Sequence, residues 1–327
     1  MKDIQREITE RFIEQLKKGT VPWRRPWVSA QNIVSQKAYR GINSLLLGSA
    51  SYNSPFWMTF KQARDLGGNV CKGAKAMPVV YYKFLDKRDK AGNVVLTRNG
   101  TPAKVPLIRW SMVFNLEQTE KIEAPKVGIE PRPAVPLAAA AAILENAKLC
   151  PIKHGGFAAL YSPDKDIIKM PPEKMFRSAE DYFHTAYHEA THATGHSSRL
   201  DREGVTMPSK FGSERYSKEE LVAELGAAFL SNEAGILDKV RFDNSASYLD
   251  SWINKLEKDH SLILSAASQA QKSTDFILGV KLNEQETLAE GQDSSSESIG
   301  RSELPQPLAV TEQRQLKEAT PGAKLSL

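Results

Sequence analysis

The sequence predicts an α+β protein of two domains and a tail, and three observations carry that prediction. Apolar residues recur at every fourth position, first at Ile4, Ile8, Phe12 and Leu16, which is the spacing of one helix face. Two runs rich in β-branched and aromatic residues, MPVVYYKFLD and VPLIRWSMVFNLEQ, flank the polar, Gly-containing DKRDKAGNVVLTRNGTPAK; they read as antiparallel strands joined by a long loop. The stretch EAPKVGIEPRPAVP is proline-rich and short of core residues, so it reads as a linker. At 327 residues the chain also exceeds the size at which one hydrophobic core keeps growing.

Taken in order, the first helix stops at Gly19 and a Trp-rich loop, VPWRRPW, follows. Residues 56–66, FWMTFKQARDL, read as helical and end at Gly67-Gly68. These elements make a first domain over 1–121, with 122–136 as the linker. A second domain over 137–282 opens with an Ala-rich helix at 137–148 and continues through a strand pair in FAALYSPDKDIIKMP. A histidine-rich helix comes next, then SKEELVAELGAAFLSNEAG, and the last helices lie in SYLDSWINKLEKDHSLILSAASQAQKSTDFIL. From 283 to 327 Ser, Glu, Gln and Pro occur without periodicity, which predicts a disordered tail.

Hydrophobic residues at 41% and charged residues at 25% are ordinary for a soluble globular protein. No run of ~18 apolar residues exists to span a membrane, and the start lacks the apolar stretch of a secretory signal, so the expectation is a cytoplasmic protein with no membrane partner. The two cysteines, Cys71 and Cys150, form no metal or disulfide motif and read as free thiols. Charge is uneven. Residues 1–126 hold 22 Lys and Arg against 10 Asp and Glu, a net of +12, and the remainder holds 22 against 29, a net of −7. That asymmetry points to a polyanionic partner for the first half alone.

Residues 183–196, FHTAYHEATHATGH, carry four of the six histidines. His188-Glu189-Ala190-Thr191-His192 is HExxH. On a helix, residues four apart point the same way, so both imidazoles can grip one Zn2+ while Glu189 takes a proton from metal-bound water. A third ligand is needed. The HExxHxxGxxH pattern fails, because Ser198 stands where its last histidine belongs. His196 would sit ~6 Å further along the same helix, so His184 and His196 are not expected ligands. The alternative is a carboxylate from a second helix, and Ser217-Lys-Glu-Glu220-Leu-Val-Ala-Glu224 supplies it. Glu220 is the expected ligand, with Glu224 accepting the spare N–H of a liganding histidine or serving as the ligand instead. Ser217-x-x-Glu220 is also a capping box, which would leave Glu224 as the ligand. The small Ala223, Gly226 and Ala227 would let the two helices pack closely. Ala158–Met170 is the expected strand for an extended peptide, and Tyr216, His184 and Tyr187 are candidate oxyanion donors.

In the first half, cationic side chains interleave with aromatic ones, the pairing that tracks phosphates and stacks unpaired bases. The candidate strand-binding residues are Trp23, Arg24, Arg25 and Trp27; Tyr39, Arg40 and Asn43; Trp57 with Lys61; and Lys72 and Lys75 in a Gly-rich loop. Isolated tryptophans are more often core residues, yet two of them bracketing two arginines are costly to bury together.

These residues resemble the ArdC-type antirestriction proteins of conjugative plasmids. The first half is similar to their single-stranded-DNA-binding domain at Gly19…Pro22-Trp23…Pro26-Trp27, Tyr39-Arg40-Gly41-Ile42-Asn43, Trp57-Met58-Thr59-Phe60-Lys61-Gln62 and Gly67-Gly68…Lys72-Gly73. The second half is similar to their zincin-type metallopeptidase domain at Tyr161…Asp164, Asp166…Pro171, His188-Glu189…His192…Gly195-His196…Arg199-Leu200 and Glu219-Glu220…Glu224. The resemblance spans roughly residues 1–270. It implies a protein that binds single-stranded DNA and helps it past host restriction, with His188, His192 and a downstream Glu as metal ligands and Glu189 as base. Two further readings compete with a zinc metalloendopeptidase acting on an unidentified protein substrate. In one, the chain is purely a strand-binding protein whose metal site is structural. In the other it is a metal nuclease, but the imidazole-rich HExxH suits zinc rather than the carboxylate-bound Mg2+ of such enzymes.

Overall fold

The computed structural model describes residues 3–24, 30–50, 52–89, 91–96, 102–125, 135–207, 214–242, 245–280 and 300–303. Helix α1 (Ile4–Lys17) is capped by Asp3, whose carboxylate accepts from the backbone N–H groups of Gln5 and Arg6. A 3-10 turn (Pro22–Arg24), strand β1 (Gln31–Asn32) and helix α2 (Ile42–Gly48) follow. Residues 56–66 are not one helix. Strand β2 (Phe56–Thr59) runs straight into α3 (Phe60–Asp65), because Thr59 and Gln62 form a reciprocal capping box that starts the helix only at residue 60. Phe56, Trp57 and Met58 are all buried, as a covered strand requires and an amphipathic helix does not.

Strands β3 (Asn69–Val70), β4 (Met77–Asp86), β5 (Lys104–Asn115) and β6 (Thr119–Glu120) complete the first half. β4 and β5 are the expected antiparallel pair, in register from Met77 opposite Val113 to Asp86 opposite Lys104. The other edge of β5 takes β2, with Trp57 opposite Asn115.

The second half begins with α4 (Pro136–Ala147), its proline in the first turn, where no N–H is missed. Strands β7 (Ile152–His154), β8 (Leu160–Ser162) and β9 (Ile167–Met170) form a three-stranded sheet in which β9 lies between parallel β7 and antiparallel β8. Then come α5 (Ala179–Thr194), α6 (Glu203–Thr206), α7 (Glu214–Glu233), α8 (Ala246–Lys258) and α9 (Leu262–Leu278). Within the tail, residues 300–303 form β10, which lies antiparallel on β5 with Gly300 opposite Trp110; residues 281–299 and 304–327 lie outside the described residues.

The two halves share one core. Ile4, Ile8 and Phe12 of α1 and Trp23 belong to the same apolar cluster as Leu221 and Leu225 of α7 and Trp252 and Leu256 of α8. Each such side chain, fully buried, contributes ~1.5–3 kcal/mol. Polar contacts repeat the pattern: Thr9 donates to the His260 carbonyl at 2.7 Å, Lys17 pairs with Glu257 at 2.9 Å, and the Gly41 N–H donates to Gln271. A separate cluster inside the second half packs Tyr182, Ala186, Tyr187 and Ala190 of α5 against Ile168, Met170, Ala227 and Leu230.

Candidate functional site

Helix α5 starts where Ser178 accepts from the Asp181 N–H and stops at Gly195, so HExxH lies in its last two turns. Behind it α7 passes very close: a Cβ at Gly226 would stand 2.5 Å from Thr191 Oγ1, so only glycine allows this approach. The close crossing brings α7 carboxylates to the imidazoles. His188 Nε2 and His192 Nε2 are 3.2 Å apart, and Glu220 lies 3.7 Å from the first and 3.6 Å from the second. Three donors bound tetrahedrally at ~2.0–2.2 Å stand ~3.3–3.6 Å from one another. The set therefore fits a divalent cation. Among the described residues, His188, His192 and Glu220 form the one group of metal-capable side chains with ligand atoms within 4.8 Å of each other.

Ser217 does not cap α7, which already runs from Glu214, and Glu220 sits well inside the helix. Its carboxyl is buried against its charge, but hydrogen bonds from His188 and the Tyr216 hydroxyl, with the nearby imidazoles, hold it below its ordinary value. Burial likewise opposes charge on His188, and the Glu220 contact with the charges of Glu224 and Glu189 outweighs it, so that imidazole is held up. Glu189 is 7% exposed.

The residue that orients His192 is not Glu224 but Glu219, whose carboxylate lies 3.2 Å from Nδ1. That contact leaves Nε2 as the nitrogen that could face a cation. Glu219 is itself gripped by Arg202 at 3.1 and 2.7 Å, and Arg202 spends its remaining N–H groups on Thr194, Ser273 and the Thr191 carbonyl. Burial raises the Glu219 carboxyl, yet His192 and Arg202 together pull it below its usual range. Neighbouring positions on a helix point ~100° apart, so Glu219 and Glu220 can reach the two edges of one imidazole; this signal was present in the sequence. Nothing there marked Arg202. Glu224 instead pairs with Arg24, at 3.4 Å.

Of the other histidines, His184 bonds Ser231 at 2.9 Å and is pushed down to about 3 by burial and by the charges of His188 and Arg24. His196 bonds Ser198 beyond the helix end. Tyr187 is buried and donates to the Ala140 carbonyl, so it does not face the site. Tyr216, one turn before Glu220, does face it, and burial with the Glu220 and Glu189 charges keeps its phenol protonated. Below the helix end, Arg199 binds Asp166 and Tyr161, tying the chain after α5 to the β8–β9 turn.

The aromatic–basic candidates divide. Trp23 is fully buried between Phe12 and Trp252, Trp57 is 2% exposed against Tyr52, and neither offers a face to a base. Arg24 is turned inward onto Glu224, and Arg40 is paired with Asp275. Asn43 is buried, its amide exchanging two hydrogen bonds with the Val80 backbone and so closing that edge of β4. Burial corrects the expected exposure of Trp23, Trp57 and Asn43, and internal pairing turns Arg24 and Arg40 toward acidic partners. Tyr39 is half-buried and accepts from Asn32. Lys61, Lys72 and Lys75 are exposed; Arg25 and Trp27 lie outside the described residues. No described helix is long and apolar enough to cross a membrane, and both cysteines are free.

Comparison with known proteins follows this division. Residues 2–114 match the N-terminal domain of anti-restriction factor ArdC, and residues 138–269 match a zincin-like metallopeptidase family. Two Escherichia coli proteins named DNA primase TraC are 38% and 36% identical over 85% and 83% of this chain, which spans only 27% and 19% of their lengths. The y4eC protein of Sinorhizobium fredii is 31% identical over 84% of this chain and 91% of its own. Crystal structures of antirestriction ArdC from plasmid R388, metal-free and Mn(II)-bound, superpose with TM-scores of 0.63 and 0.64 at 35% and 34% identity, covering 89% of this chain and 100% of theirs. Both halves, in this order and at this identity, make the chain a member of the ArdC antirestriction family.

Proposed function

We propose that this protein binds single-stranded DNA through its basic first half, carries a zinc peptidase centre in its second, and protects incoming DNA from host restriction. The single observation that supports it most is the convergence of His188, His192 and Glu220, with Glu189 buried on the same helix turn. Two imidazoles and one carboxylate are the donor set of zinc hydrolases, which favours zinc over harder cations. When bound, that cation polarises a carbonyl and acidifies water. The chain's own residues supply the rest. Glu189 accepts the proton, Glu219 fixes the His192 tautomer, and the Tyr216 phenol donates to the oxygen on which charge develops. Edge strand β8 offers main-chain groups to an extended peptide. For the strand, the net +12 of residues 1–126 and the exposed Lys61, Lys72 and Lys75 favour phosphate contact.

Glu189→Ala is the test. It removes the base and leaves the ligands, so bound zinc should persist while peptide hydrolysis is lost. Unchanged hydrolysis would sink the peptidase mechanism. Full protection of DNA by a variant that has lost hydrolysis would instead favour a strand-coating protein with a structural metal. Equal affinity for duplex and single strands would remove the strand-binding half of the proposal.

A further inference from the structure

Arg24 belongs to the first half by sequence, yet its guanidinium lies in the second. Trp23 anchors the preceding turn in the shared core. Arg24 then stands 4.1 Å from the Tyr248 ring centroid and 4.7 Å from that of Phe242, and Nη2 lies 3.4 Å from Glu224 Oε2. The Arg24 side chain is 10% exposed and Glu224 20%. Two aromatic faces and a carboxylate hold a planar cation in one place, in a way a flexible ammonium would not be held.

Glu224 sits one turn after Glu220 on α7, on the same face. Two carboxylates one turn apart on one helix face are both chemically able to ligate a cation. Something must decide between them. We propose that Arg24 completes the metal centre from the first half of the chain by holding Glu224 as a paired carboxylate outside the ligand set, which leaves Glu220 to bind. The inference rests on the metal reading of His188, His192 and Glu220. It makes Arg24 a positioning residue, acting through Glu224. It also means the residues matched as a zincin-like metallopeptidase do not contain their whole site.

Opposite charges that cancel near a divalent cation predict opposite effects when removed singly and little effect when removed together. The experiment titrates full-length protein with Zn2+ against a chromophoric chelator and records the visible spectrum of the Co2+-loaded form. Glu224→Gln leaves Arg24 uncompensated and should weaken Zn2+ binding by about tenfold, with an unchanged Co2+ spectrum because no ligand is lost. Arg24→Gln releases Glu224 and should tighten binding by roughly threefold or more, with an altered spectrum; the double variant should return to within about threefold of the parent. Arg24→Lys keeps the charge but loses the planar stack on the two rings, so it should shift in the same direction as Arg24→Gln and by less. Additive effects, or a Co2+ spectrum changed by Glu224→Gln alone, overturn the inference; the latter would make Glu224 a ligand. If Arg24→Gln fails to fold, Arg24→Lys and Glu224→Gln decide by the same criteria. Failure of the underlying metal reading is distinguishable, since His188→Ala would then retain Zn2+.

Discussion

The last two turns of α5 and the turn Pro22–Arg24 are both short, and both are dense in residues that carry chemistry. Their fates differ. In α5 the chemical side chains, His188 and His192, share one side of a helix and meet a carboxylate, while Ala190 and Ala193 face the core. In the 22–24 turn the aromatic residue enters the core and the cation turns inward to Glu224. A helix sets the direction of each side chain by its period, so spacing alone sorts site from core. A turn has no period, and its side chains go wherever apolar burial and pairing are best satisfied.

That difference can be tested from both ends. His188→Ala should abolish tight metal binding, by roughly a thousandfold, with little loss of fold, as measured by chelator competition. Trp23→Ala should do the reverse, costing ~3–5 kcal/mol in a denaturant titration because it empties the core shared by both halves. Retained stability in that variant would return Trp23 to the surface. Between these extremes, Glu219→Gln should weaken metal binding by about 10–100-fold, since it frees the His192 ring. Replacing Lys72 and Lys75 by Ala should leave the denaturation midpoint unmoved and reduce the salt slope of single-strand binding by about 2. The smallest effect concerns Asp166. Its hydrogen bond from Arg199 holds the carboxyl low despite burial. The stability it contributes is therefore full above the ordinary aspartate value of ~3.9 and lost as pH falls through the depressed folded value. The difference in urea midpoint between the parent and Asp166→Asn should accordingly shrink between pH 7 and pH 3.

Much of the fold was legible. The β4–β5 pair, the helix stop at Gly195 and the small residues of α7 follow from β-branched runs, a C-terminal glycine and the need for close packing. The strand at 56–59 was not, because FWMT beside KQAR imitates a helix until the Thr59–Gln62 capping box is seen to start one. At the site, His188, His192 and Glu220 were read from spacing, whereas the carboxylate on His192 was expected to be Glu224 and is Glu219, whose helical angle beside Glu220 was the overlooked signal. Arg24 and Arg202 were not readable, since neither has a periodic relation to the residues it serves.

The order of the chain by itself determined which atoms can act together within one helix: two imidazoles a turn apart, and two carboxylates a turn apart. Which carboxylate meets the imidazoles, which one Arg24 holds, and which tryptophan is hidden were decided only when α5, α7 and α8 packed. Periodicity is a local property of the backbone, whereas the pairing of a buried charge depends on every element that excludes water from it.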